Sequence, residues 1–99
     1  MIKEQELISE FQIAYDLHSK RSFDKAEMLY KKILKKMPTH FDTLRHLGIL
    51  YQDQQMFDVA ERYFQRAYKA NSKNFSIYNN LGTIKFLQLK MDEALEFYK

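Results

Sequence analysis

FDKAEMLY at residues 23–30 is followed by FDVAERYF at 57–64 and by MDEALEFY at 91–98. Ala26, Ala60 and Ala94 stand 34 residues apart, as do Asp24, Asp58 and Asp92. Self-similarity at a fixed period means that one structural unit is copied along the chain, and the period constrains the fold before any single residue does.

Inside the period the apolar spacing is helical. Phe57, Ala60, Phe64, Ala67 and Tyr68 recur at intervals of three, four and seven, which puts them on one stripe of a helix. Leu44, Leu47, Leu50 and Tyr51 form a second stripe, and the polar QDQQM between them is short enough that the two helices must pack antiparallel. Each period is therefore read as a helical hairpin, and the spacing predicts six helices near 3–19, 23–36, 41–53, 57–70, 75–87 and 91–99. Two glycines and one proline leave few interruptions, so the fold class is all-α.

Local chemistry adds detail to the hairpin. Asp24, Asp58 and Asp92 each open a second helix, where a carboxylate accepts bonds from free first-turn amides and lies favourably in the helix dipole. Gly48 and Gly82, again 34 apart, sit inside first helices at a cost of about 1 kcal/mol relative to alanine. Close approach of the partner helix is the expected compensation at both, with Ala14 in the same phase of the first unit.

The composition narrows the function classes. With 45% apolar and 29% charged residues the chain has the balance of one folded domain rather than a disordered segment. It has no cysteine, hence no disulfide framework and no thiolate metal site. MIKEQELISEF carries charges where a secretory signal needs an apolar core, and no run approaches the roughly 18 apolar residues that span a bilayer. A cytoplasmic protein without a membrane partner is expected.

No phosphate loop, nucleophile elbow or acid–base pair stands out, so the chain is expected not to be an enzyme and to need no cofactor. His18 and His46 lie on different helices without a third ligand, where zinc sites use three or four, so they are read as structural or solvent-facing and no metal is expected. Lys31, Lys32, Lys35 and Lys36 make the second helix basic. The doublets around Ile33 and Leu34 are those of an amphipathic helix solvating its outer face, and this reading is preferred to a nucleic-acid footprint.

With its register kept over residues 7–99, the chain resembles three tetratricopeptide repeats, at 7–40, 41–74 and an incomplete 75–99. The second unit carries the family's series of a bulky residue, Leu, Gly, aromatic, Ala, aromatic and Ala as Leu44, Leu47, Gly48, Tyr51, Ala60, Phe64 and Ala67, with Ser72 where proline is usual. In the first, Ile13, Ala14, Leu17, Ala26, Tyr30 and Pro38 fit, while Glu10 and Ile33 depart. The third has Tyr78, Leu81, Gly82, Ala94 and Tyr98, with Lys85 in place of the aromatic.

The resemblance implies a single domain over 1–99, built of antiparallel helical hairpins stacked as a right-handed superhelix. Its first helices would line a concave groove that holds a protein or extended peptide. The groove residues it implies are Phe11, Gln12, Tyr15, Asp42, Arg45, His46, Ile49, Asp53, Asn79, Asn80 and Phe86. The carboxylate clamp of chaperone-binding members falls on Phe11, Tyr15, His46, Ser76 and Asn80, so none of its cations is present. Gln12, His46 and Asn80 instead form a polar column, and YNNLG at 78–82 is similar to repeats of glycosyltransferases that attach N-acetylglucosamine to proteins. In those an asparagine ladder holds a peptide backbone; the alternative is that Asn79 and Asn80 are only solvent-facing.

Two functional readings stay open: a non-catalytic binding scaffold, or the N-terminal part of a larger bacterial enzyme of glycosyltransferase or sulfotransferase type. The uncapped third unit would expose Leu95, Phe97 and Tyr98. Either the chain belongs to a longer protein or copies associate through this end.

Overall fold

The structure, a computed structural model, describes residues 4–97. Among these residues it is all-α: α1 (Glu4–Ser19), α2 (Phe23–Lys36), α3 (Phe41–Asp53), α4 (Phe57–Ala70) and α5 (Ser76–Phe97). The bounds of α2, α3 and α4 are those predicted from the spacing. Each helix packs on the next in sequence, and α3 also touches α1 and α5. No helix of the described residues is long and apolar enough to cross a membrane.

The core follows the two stripes read from the sequence. Leu44, Leu47, Leu50 and Tyr51 on α3 are buried against Ala60, Phe64 and Ala67 on α4, and Ile77 and Ile84 of α5 close the same cluster. Ala14, Ala26, Tyr30 and Leu34 extend it through the first hairpin. Ile33 and Leu34 point inward while the four flanking lysines stay exposed, as an amphipathic helix requires.

The two tight turns share one device. Arg21 and Gln55, 34 residues apart, both take the left-handed conformation, at φ 63° and 62°. Ser22 N–H then donates to Leu17 O at 2.8 Å and Met56 N–H to Tyr51 O at 2.9 Å, each reaching back five residues to satisfy a last-turn carbonyl. A left-handed residue other than glycine costs about 1–2 kcal/mol, so each turn persists only because the hairpin behind it buries enough.

That balance tips the other way in the third unit. Residues 75–87 and 91–99 were expected as two helices, but α5 runs unbroken through LQLKM at 87–91. Leu89 stands where Arg21 and Gln55 turn, and Leu, Gln, Lys and Met all favour helix, without the Ser or Asp found beside the other turns. The third hairpin is thus absent among the described residues. The Phe97 side chain, Tyr98 and Lys99 lie outside them.

Two local expectations are corrected with it. Gly48 does accept a partner helix, since a Cβ there would overlap the Phe64 ring, whereas Gly82 has no atom near a Cβ position within 4 Å because no sixth helix covers it. The aspartates do not cap: α2 and α4 begin after Ser22 and Met56 without a side-chain cap bond, Asp24 and Asp58 stand one residue inside the first turn, and Asp92 is in mid-helix. Only the dipole part of that reading holds for Asp24 and Asp58. Side-chain caps form instead at α3, where His40 Nδ1 accepts from Thr43 N–H at 3.3 Å, and at the start of α5, where Asn74 Oδ1 accepts from Ser76 N–H at 3.1 Å.

Candidate functional site

The groove residues read from the sequence fall on α1, α3 and α5, and four of them come together. Tyr15 of α1 and His46, Ile49 and Asp53 of α3 line a concavity of about 360 Å³, joined by His18, Ser19, Arg21 and Phe23. The period explains the meeting. The end of α1 and the end of α3 lie side by side, and the turn after α1 folds Arg21 and Phe23 over the opening.

His46 is the centre of the arrangement. Its ring lies edge-on to Phe11 at 5.0 Å and to Tyr15 at 5.7 Å. Nδ1 is 2.8 Å from the Asp42 carbonyl, which can only accept, so Nδ1 carries the proton and Nε2 keeps a free lone pair. Burial holds the imidazole below its ordinary value of 6.5, outweighing the Asp42 carbonyl, and the neighbouring Arg45 charge acts in the same direction as burial.

His18, read from sequence as structural or solvent-facing rather than as a metal ligand, lines the concavity from α1. Its Nε2 donates to Asp53 Oδ2 at 2.8 Å, and Nδ1 faces the Tyr30 hydroxyl at 3.5 Å. The side chain is 9% exposed. With both ring nitrogens taken, this imidazole ties α1 to the end of α3 and orients the Asp53 carboxylate at the rim. Among the described residues no group of three or more His, Asp or Glu is placed to hold a metal ion.

The remaining predicted residues are dispersed. Phe11 is half-buried between Tyr30 and His46 as packing. Gln12 is exposed and donates to Asp16 Oδ1 at 3.0 Å. Arg45 donates to Asn80 Oδ1 at 3.2 Å, linking α3 to α5, and Asp42, Asn79 and Phe86 are exposed outside the concavity. Each member of the polar column Gln12, His46 and Asn80 therefore already has a partner within the chain. His18, Ser19, Arg21 and Phe23 were missed as groove residues. The 34-residue spacing of Arg21 and Gln55 was the available signal for the turn that brings them there.

On the opposite face, α2 is less cationic than its sequence suggests. Lys31 pairs with Glu27 at 2.9 Å, while Lys36 and Lys32 converge on Glu10 at 2.7 and 4.0 Å. Glu27 also accepts from the Tyr51 hydroxyl, and this bond, ahead of Lys31, holds its carboxyl below the ordinary range despite partial burial. Burial, then the Glu27 bond, pushes the Tyr51 phenol up to about 12. Glu10, a departure from the repeat pattern, is the residue that draws two of the lysines to α1.

Compared with protein-family models the chain matches none, and compared with curated proteins it matches none.

Proposed function

We propose that the chain is a tetratricopeptide-type domain, a right-handed stack of helical hairpins, that binds an extended segment of a partner protein across α1 and α3 and carries out no chemistry of its own. The observation that carries this reading is the concavity bounded by Tyr15, His46, Ile49 and Asp53. It combines an aromatic and aliphatic wall, able to seat one large apolar side chain, with polar atoms left for a peptide backbone.

Those atoms come in complementary kinds. The lone pair on His46 Nε2 accepts from a backbone N–H inside the concavity, and beyond its edge, on α5, the Asn80 amide, whose oxygen is taken by Arg45, keeps its N–H2 to donate to a backbone carbonyl. An extended strand presents one of each per residue, so backbone recognition needs no particular ligand sequence. Arg21 and Asp53 put both signs of charge at the rim. That mixture suits an internal segment better than a terminal carboxylate, which Asp53 would repel.

Selection of binders from a library of displayed extended peptides tests the reading. Ile49→Glu and His46→Ala should each weaken a selected peptide by about tenfold, roughly 1.4 kcal/mol, while Lys35→Ala on the outer face of α2 leaves it unchanged. Binding unaffected by both groove substitutions contradicts the proposal.

A further inference from the structure

The outward face of α5 carries a run of exposed apolar side chains. Phe75, just ahead of the helix, is 83% exposed, Tyr78 47%, Phe86 58% and Leu89 59%, and Gly82 lies bare at their centre. Two of these positions have covered counterparts one period earlier. Leu44 and Gly48 sit beneath α4, with Phe64 resting on the glycine, whereas nothing covers Gly82, and Tyr78, its ring edge-on to Tyr68 of α4 at 5.8 Å and its hydroxyl donating to Ser72 O, stays half exposed.

The spacing of the stripe is symmetric about its glycine. Relative to Gly82 the four side chains stand at −7, −4, +4 and +7. At 100° per residue all lie within about 40° of the Gly82 direction, over a length of roughly 21 Å. A face with this symmetry is complementary to itself. When two such helices run antiparallel about a two-fold axis at Gly82, Phe75 meets Leu89 of the other copy, Tyr78 meets Phe86, and the glycines let the backbones approach.

The surrounding charges do not oppose such a pairing. No charged residue lies among those five. The nearest cations are engaged within the chain, Lys85 with Glu61 and Lys90 with Glu93 at 3.5 Å, the Lys90 ammonium also lying 5.6 Å over the Phe86 ring, from which it must swing aside for the pairing. Unbroken helix through Leu89 is also required, since a hairpin turn there would divide the stripe and cover Gly82. The continuous α5 satisfies both conditions.

We propose that two copies of this chain pair through α5, antiparallel and two-fold symmetric about Gly82. One helix face is a small contact, so the association belongs to the weak class. The proposal is independent of peptide binding in the α1 and α3 concavity, and its test contains no peptide.

The chain lacks cysteine, so single cysteines report the geometry directly. Under mild oxidation Gly82→Cys should form a covalent dimer, because the axis sets the residue opposite itself. Phe75→Cys alone should not, its copies being roughly 21 Å apart, but a mixture of Phe75→Cys and Leu89→Cys should cross-link. Gln65→Cys, exposed on α4, sets the collisional background. Sedimentation at on the order of 500 µM, a high concentration suited to a weak interface, should show dimer for the unmodified chain and monomer for Leu89→Glu, with equal helix content by circular dichroism. A chain that stays monomeric there, a dimer indifferent to Leu89→Glu, or Gly82→Cys cross-linking no faster than Gln65→Cys overturns the proposal.

Discussion

Phe64 of α4 rests directly on Gly48 of α3, so closely that a single added methyl at the glycine would overlap the ring. Both are buried, and Leu44, Leu47 and Ala60 belong with Phe64 to the same core cluster. This contact sets the distance between the helices of the central hairpin and accounts for a glycine in mid-helix.

Its sequence twin behaves differently, which makes the pair a test. Gly48→Ala should destabilise by about 1–3 kcal/mol through overpacking. Gly82→Ala, with free space around it, should stabilise by roughly 0.5–1 kcal/mol through helix propensity alone. Urea denaturation at low protein concentration measures both. A Gly82→Ala loss as large as that of Gly48→Ala would mean that α5 is covered in the monomer.

Ala60 lies fully buried on α4, in the same core cluster. Ala60→Leu should cost about 1–3 kcal/mol in the same experiment, because three further carbons must fit a closed helix crossing. Equal stability would place Ala60 at the surface and break the register of the repeat.

His46 gives stability a pH dependence of known sign. Its folded-state value lies below the unfolded 6.5, so the unfolded chain binds the proton more readily. Its contribution is fully present above pH 6.5 and declines as the pH falls below that, until the folded imidazole itself is protonated. His46→Gln should therefore show a flatter stability profile than the parent between pH 7.5 and 5. Parallel profiles would contradict the burial of the ring.

Tyr51 and Glu27 join the first hairpin to the second. The Tyr51 hydroxyl is the largest influence on the Glu27 carboxyl, with Lys31 on the same carboxylate. A double-mutant cycle with Tyr51→Phe and Glu27→Gln should give a coupling of about 0.5–1.5 kcal/mol, the net worth of one such bond. That coupling should be present above the ordinary Glu value of 4.5 and fade as the pH falls below it. No coupling at pH 7 would mean that the hydroxyl is solvated instead.

The periodic part of the fold was legible in the sequence, because Ala26, Ala60, Leu44, Leu47 and Phe64 each report burial through spacing alone. What the period could not report was whether the third copy closes. Closure is a contest between a left-handed turn residue and the area buried behind it, and at Leu89 a repeated pattern conceals a changed balance. The groove was legible as a surface but not as a site. Tyr15, His46, Ile49 and Asp53 carry the right period, yet Arg21 enters the concavity from a turn whose left-handed conformation no single residue announces, bringing Phe23 at the start of α2 with it. The polar column was legible as a spacing only: Gln12, His46 and Asn80 are each also bonded to a neighbour that spacing does not reveal.

The central claim, that an extended peptide lies across α1 and α3, is tested most directly by amide chemical-shift mapping. A peptide from the library selection is titrated into the ¹⁵N-labelled chain while every backbone amide is followed. The largest changes should fall on Tyr15, Arg21, His46, Ile49 and Asp53 and should extend to Asn80, leaving the outer face of α2 around Lys31 and Lys35 unmoved. Changes concentrated on that lysine face, with the His46 and Ile49 amides still, would contradict it.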